Sequence, residues 1–193
     1  MKVMISTVHI QKAVLAAIPK LSPEKMVFLI DPKNNKTSDL DEIKRLYGKI
    51  MPIENVKTDS YDIVKIASDV VKAIEKEHSA GNEIVIHITE GRKTMAIGAM
   101  YASYARKNMV KGIYYITEEA NELISLPILE LQINSTKGKI MKELVKGNTD
   151  IKSLAKITGK TEAMVYAHLS DLKAEGYVAD DLKLTVSGRI AIL

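Results

Sequence analysis

The stretch EIVIHITEGRKTMAIGAMYASYARK, residues 83–107, decides the fold. Glu83–Thr89 is short, apolar and rich in β-branched residues, the pattern of a strand buried in a parallel sheet. Glu90-Gly91-Arg92-Lys93 makes a tight connection, and Thr94–Lys107 continues as a helix rich in Ala, Met and Gly. The same alternation extends outward in both directions. Upstream, strands are expected at Lys2–Val8, Met26–Asp31 and Ile53–Lys57. Helices are expected at Gln11–Ile18 (stopping before Pro19), from Ser38-Asp39 through Leu40, Ile43, Leu46 and Tyr47, and at Tyr61–Glu77. Downstream, Gly112–Thr117 reads as a fifth strand and Leu126–Ile133 as a strand leading out of the domain. Strand and helix in strict alternation through short loops imply an α/β fold, a Rossmann-like, mostly parallel sheet with helices on both faces.

From Asn134 the pattern changes, so the chain divides into residues 1–133 and 134–193. Ser135 or Thr136 can cap a helix at Lys137–Lys146, and Thr149 or Asp150 a second at Ile151–Ile157. Thr158-Gly159-Lys160 turns the chain into a third helix from Thr161 to Glu175, which Gly176 stops. Tyr177–Ala179 and Leu182–Val186 can pair as a hairpin across Asp180-Asp181. Three helices and a hairpin make a winged helix-turn-helix.

The bulk composition is that of a folded protein: 193 residues, 46% hydrophobic and 27% charged, with no Cys and hence no disulfide framework or thiolate metal site. No apolar run approaches the ~20 residues that span a bilayer, and the N-terminus lacks a signal-peptide pattern, so the expected compartment is the cytoplasm and no membrane is involved. Of the net charge of +4, residues 133–193 carry +3 (nine Lys and one Arg against seven acids). An excess concentrated in the second segment fits a surface that meets phosphate.

On the third helix of that segment, Val165, Leu169 and Leu172 recur at core spacing. The opposite stripe is Glu162, Tyr166, Ser170 and Lys173, all able to hydrogen-bond to base edges of double-stranded DNA. Lys160 and Thr161 precede the helix, where phosphate is gripped. The competing reading is a small helical domain that binds protein. The segment IKSLAKITGKTEAMVYAHLSDLKAEGYV (151–178) followed by LKLTVSG (182–188) resembles many prokaryotic winged helix-turn-helix regulators. The tip Asp180-Asp181 departs from their usual basic wing, which transfers the expected phosphate contacts to Lys183 and Arg189.

In the first segment, a doubly wound strand order would set strands one and four side by side, where open α/β sheets bind ligands. The fourth strand ends in Thr89-Glu90-Gly91-Arg92-Lys93-Thr94: a Gly for close approach, two adjacent cations and a hydroxyl at a helix N-terminus, the parts of an anion site. The spacing is neither that of a P-loop nor that of a dinucleotide fingerprint. A surface turn with two solvated cations is the plainer reading. His87 reads as a core or pocket residue, and no grouping of His, Asp and Glu has metal spacing.

A strand ending in Thr-x-Gly-x-Lys and opening a helix of small residues, in a Rossmann-like domain fused to a winged helix, resembles the CARF-type regulators associated with archaeal CRISPR loci. Here those residues are Thr89, Gly91 and Lys93. The resemblance implies a homodimer whose paired sensor domains bind a cyclic oligoadenylate, most often cyclic tetra-adenylate, with no other cofactor. It also places Thr7 and His9 in the same pocket. Three functions compete on this reading. The first is a ligand-responsive transcriptional regulator, not an enzyme. The second is a ring nuclease in which His9, Thr89 and Lys93 act on the cyclic ligand. The third is a protein-binding adaptor of a CRISPR system.

Overall fold

A computed structural model describes residues 1–9, 11–33, 38–129 and 133–193. They fall into two compact units, Met1–Glu130 and Leu131–Leu193.

The first unit is built as β1 (Lys2–Thr7), α1 (Gln11–Leu21), β2 (Lys25–Ile30), α2 (Ser38–Tyr47), β3 (Ile53–Lys57), α3 (Ile63–Ser79), β4 (Glu83–His87), α4 (Lys93–Ala105), β5 (Val110–Ile116) and β6 (Leu123–Leu126). The strands form one sheet in the order β3-β2-β1-β4-β5-β6. The first five are parallel, and β6 runs antiparallel to β5. Sequence order reverses between β1 and β4, which pair from Lys2↔Glu83 to Ser6↔His87. The doubly wound order expected from the sequence is therefore the observed one.

The central strands are apolar without alternation because both faces are covered. Met4, Phe28 and Val85 pack with Val14, Ala17 and Ile18 of α1 and with Leu40 and Ile43 of α2. Side chains alternate along a strand, so Val3, Ile5 and Ile86 turn to the opposite face. There α3 buries Ile66, Ala67, Val70 and Ile74, and α4 buries Met95, Ala99 and Ala102. These two helices approach closely: a Cβ added at Gly98 would collide with the Ile66 side chain. An ion cluster ties the sheet to α3. Lys25 Nζ donates to Glu54 at 2.7 Å and to Glu77 at 2.9 Å, and Asn82 Nδ2 donates to Glu77 at 2.9 Å. Burial pulls the Lys25 ammonium down, but the two carboxylates outweigh it and leave it raised.

The second unit holds α5 (Ser135–Val145), α6 (Ile151–Thr158), α7 (Glu162–Ala174) and α8 (Val186–Ala191). Its core is Ile140, Met141, Leu144, Leu154, Val165, Leu169, Leu172 and Val178. Asp150 and Thr161 cap α6 and α7 through their side chains, and Gly159 ends α6 in the left-handed region at φ 65°. Lys137 Nζ joins α5 to α7 through Glu175 at 2.6 Å and Asp171 at 3.3 Å.

Several boundaries differ from the sequence reading. Helix α1 does not stop before Pro19 but runs through it to Leu21, with the proline ring in its last turn. Strand β4 ends at His87, leaving Ile88 and Thr89 in the loop. The sixth strand is Leu123–Leu126 rather than Leu126–Ile133; residues 130–132 of that expectation lie outside the described ones. It forms because Thr117 and Glu122 close a turn, with Thr117 N–H on the Glu122 carbonyl and Glu122 N–H on Thr117 Oγ1. Asn134, not Ser135 or Thr136, caps α5 by accepting from Lys137 N–H. The wing hairpin contracts to a single bridge, Val178↔Leu184, since Thr185 caps a short further helix that takes Val186 out of the strand.

Candidate functional site

At the switch point the carboxyl ends of β1 and β4 are locked together by a chain of polar side chains. Ser6 Oγ donates to the Thr7 carbonyl at 2.8 Å and lies 2.9 Å from His87 Nδ1. Thr89 Oγ1 accepts the Ile116 N–H at 2.7 Å and lies 2.8 Å from His87 Nε2. The Ser6 proton is committed to a carbonyl, so its oxygen must accept from Nδ1–H. Nε2 is then the acceptor for the Thr89 hydroxyl proton. This arrangement needs a neutral imidazole. Burial enforces it, pushing the His87 pKa down to about 4.

Above this floor the chain turns at Gly91, whose φ of 93° suits a residue without Cβ. A Cβ there would also sit 3.1 Å from Thr7 Cβ. Thr7 is fully buried behind Gly91, with its Oγ1 unpartnered among the described residues. Helix α4 then begins. Its N-cap, Arg92, makes no side-chain capping bond, whereas Asp62 accepts from Lys65 N–H at the start of α3. The positive end of α4, with its first N–H groups, is thus left to face the loop side.

The resulting cavity, of about 430 Å³, is lined by His9, Tyr61, Gly91, Arg92, Lys93 and Thr94. Five of the seven residues expected from the sequence therefore meet in one place. Thr7 and Thr89 are not among its lining residues: Thr7 is buried behind Gly91, and the Thr89 hydroxyl is engaged with His87 and Ile116. Thr94 Oγ1 donates to the Ser60 carbonyl and fixes the β3–α3 turn against α4. Tyr61, on that turn, carries the Arg92 guanidinium 5.0 Å from its ring centroid. Tyr61 was not anticipated as a site residue, because it reads as the first residue of the amphipathic helix. The available signal was Asp62, a strong N-cap, which puts Tyr61 outside the helix and in the turn.

In the second unit, α6, the Gly159 turn and α7 form a helix-turn-helix. Glu162, Tyr166 and Ser170 are exposed on α7, with Tyr166 at 60%, and Lys160 and Thr161 are exposed before it. Two of the expected DNA contacts, one to base edges and one to phosphate, have intramolecular partners. Lys183 Nζ pairs with Asp181 at 2.8 Å, and Lys173 Nζ donates to the Asp180 carbonyl at 3.2 Å. The Lys183 bond holds Asp181 below the usual carboxylate range.

Two family models match this chain. One, described as "HFX_2341_N:-like, N-terminal", covers residues 2–121, and one described as "Bacterial regulatory protein, arsR family" covers residues 134–180. An uncharacterized protein of Archaeoglobus fulgidus is 21% identical over 175 residues, 83% of this chain and 79% of the relative. Among solved structures, protein VC1899 from Vibrio cholerae matches with TM-score 0.56 and 11% identity, covering 99% of this chain and 64% of its own. Can2 from Sulfobacillus thermosulfidooxidans, in complex with cyclic tetra-adenylate, matches with TM-score 0.50 and 12% identity over 98% of this chain and 62% of its own. A type III CRISPR defence DNA nuclease activated by cyclic oligoadenylate matches with TM-score 0.51 and 13% identity over 82% of this chain and 30% of its own. The chain spans less than two thirds of each of these three structures, and the likeness is one of fold.

Proposed function

We infer that this chain, which belongs to the family described as "HFX_2341_N:-like, N-terminal", is a ligand-responsive transcriptional regulator. Its first unit senses a cyclic oligoadenylate, with cyclic tetra-adenylate the first candidate, and its second unit binds duplex DNA. The observation that carries the sensor half is the meeting of Arg92, Lys93, His9 and the N-terminus of α4 in one cavity. Backbone N–H groups, the helix dipole and two cations favour an anion there, and a space of about 430 Å³ admits more than a lone phosphate. Two of the solved structures of similar fold are described with cyclic oligoadenylate, which supports a ring-shaped nucleotide. The regulator half rests on the helix-turn-helix geometry and the arsR-family match.

The test is calorimetric titration with cyclic tetra-adenylate, followed by chromatography of the recovered ligand. Saturable binding with intact ligand supports the sensor. Linear products would support the ring-nuclease reading, and no binding would remove cyclic tetra-adenylate from the account.

A further inference from the structure

Tyr61 is held unevenly. Its main chain is fixed from several directions: Tyr61 N–H donates to Asp59 Oδ1 at 3.0 Å, and Ser60 N–H donates to Oδ2 of the buried Asp31 at 3.1 Å. The Ser60 carbonyl accepts the Thr94 hydroxyl from the first turn of α4, and Ser60 Oγ reaches Met95 Sδ at 3.6 Å. The residue is 66% exposed, and its ring carries the Arg92 guanidinium. An aromatic side chain kept for packing is buried by its neighbours. Here the backbone is braced, while the ring is presented to the cavity under a cation whose attraction is weak at an exposed site and readily exchanged.

We propose that Tyr61 is the base platform of this pocket. An adenine of the bound nucleotide stacks on the phenol ring and displaces the Arg92 guanidinium, which turns to phosphate beside Lys93 at the start of α4. The proposal rests on the reading of the first unit as a nucleotide sensor. It assigns Tyr61 to the base, and Arg92 and Lys93 to the charge. Arg92 stacked on Tyr61 keeps the platform covered in the free protein, and the phosphate that draws the cation away uncovers it for the base.

The test separates base from phosphate by comparing AMP with ribose 5-phosphate in the full-length protein. Base–aromatic stacking alters affinity on the order of tenfold to a hundredfold per base. The wild type should prefer AMP by that factor, and Tyr61→Phe should retain the preference. Tyr61→Ala should bring the ratio towards one by weakening AMP while ribose 5-phosphate binds no more weakly than before, a pattern that mere misfolding does not give. The chain has no Trp, so Tyr61→Trp installs a single indole, whose emission should be quenched by AMP and by cyclic tetra-adenylate but not by ribose 5-phosphate. An unchanged preference in Tyr61→Ala, or an indole blind to AMP, overturns the platform while the sensor reading stands. A wild type that binds neither AMP nor cyclic tetra-adenylate overturns the sensor reading, and the platform with it.

Discussion

The Thr89 hydroxyl lies 2.8 Å from His87 Nε2 while accepting the Ile116 amide at 2.7 Å, so it braces β4 against β5. Replacing it by Val removes the acceptor for a buried N–H and the donor for a buried ring nitrogen. Thr89→Val should lose about 1–3 kcal/mol of stability, a fall of roughly 2–4 °C in Tm per kcal/mol for a chain of this size. Thr89→Ser should keep most of it. A Thr89→Val protein that melts with the wild type would contradict the bracing role.

His87 makes stability depend on pH in a defined window. Its folded pKa, about 4, lies below the 6.5 of the free side chain, so the unfolded chain binds the extra proton first. The contribution is fully present above about pH 6.5 and is lost as pH falls towards 4, to a few kcal/mol at most. His87→Gln, which keeps a donor and an acceptor, should flatten the dependence of Tm on pH between 6.5 and 4.5. An equally steep dependence in the variant would show that other groups cause it.

The sheet order was legible because β1, β2 and β4 are apolar runs too short for helices, separated by amphipathic helices, and that alternation permits few topologies. The cavity was half legible. Gly91, Arg92, Lys93 and Thr94 are contiguous in sequence, and His9 follows a strand known to lie beside them. Tyr61 comes from a turn some 30 residues away, brought in by the Thr94–Ser60 bond, and no periodicity reports such a contact. The burial of Thr7 and the engagement of Thr89 with His87 and Ile116 are also hidden, since a hydroxyl near a strand end reads the same whether it faces ligand or sheet. The wing is not legible in the sequence because Leu182–Val186 has strand character, while the capping by Thr185 that turns Val186 into a helix is local and decisive.

The face of α7 predicts distinct effects on DNA binding. Lys160→Ala should weaken binding to all duplexes and reduce the salt slope by about one, as the loss of one phosphate contact does. Tyr166→Ala should instead relax sequence preference at one position. The Asp181 carboxylate occupies Lys183 at 2.8 Å and the Asp180 carboxylate lies 4.0 Å from Lys173 Nζ, so changing both to Asn removes two negative charges and should tighten non-specific binding measured by fluorescence anisotropy. Unchanged affinity in the double variant would mean that neither lysine reaches phosphate.

On α4, Ile97 is 42% exposed, and Met100, Tyr101 and Tyr104 follow at helical spacing with part of their surface open. The expected partner is a second copy, giving the two-fold arrangement that paired half-sites require. Ile97→Glu should shift sedimentation at micromolar concentration from dimer to monomer. A wild type that sediments as a monomer with and without cyclic tetra-adenylate would contradict the dimer.

The central claim is that one ligand, held by Lys93 and its neighbours, alters what the second unit does. The direct measurement is affinity for a selected operator duplex with and without saturating cyclic tetra-adenylate, in wild type and in Lys93→Ala. Coupling between two sites is typically ~1–3 kcal/mol, so the wild-type affinity should change by about fivefold or more in either direction. Lys93→Ala, which loses a charge-assisted contact worth ~1.5–3 kcal/mol, should bind the operator as the wild type does without ligand and should need at least tenfold more ligand to respond. Operator affinity that is identical with and without saturating ligand in the wild type would contradict the account.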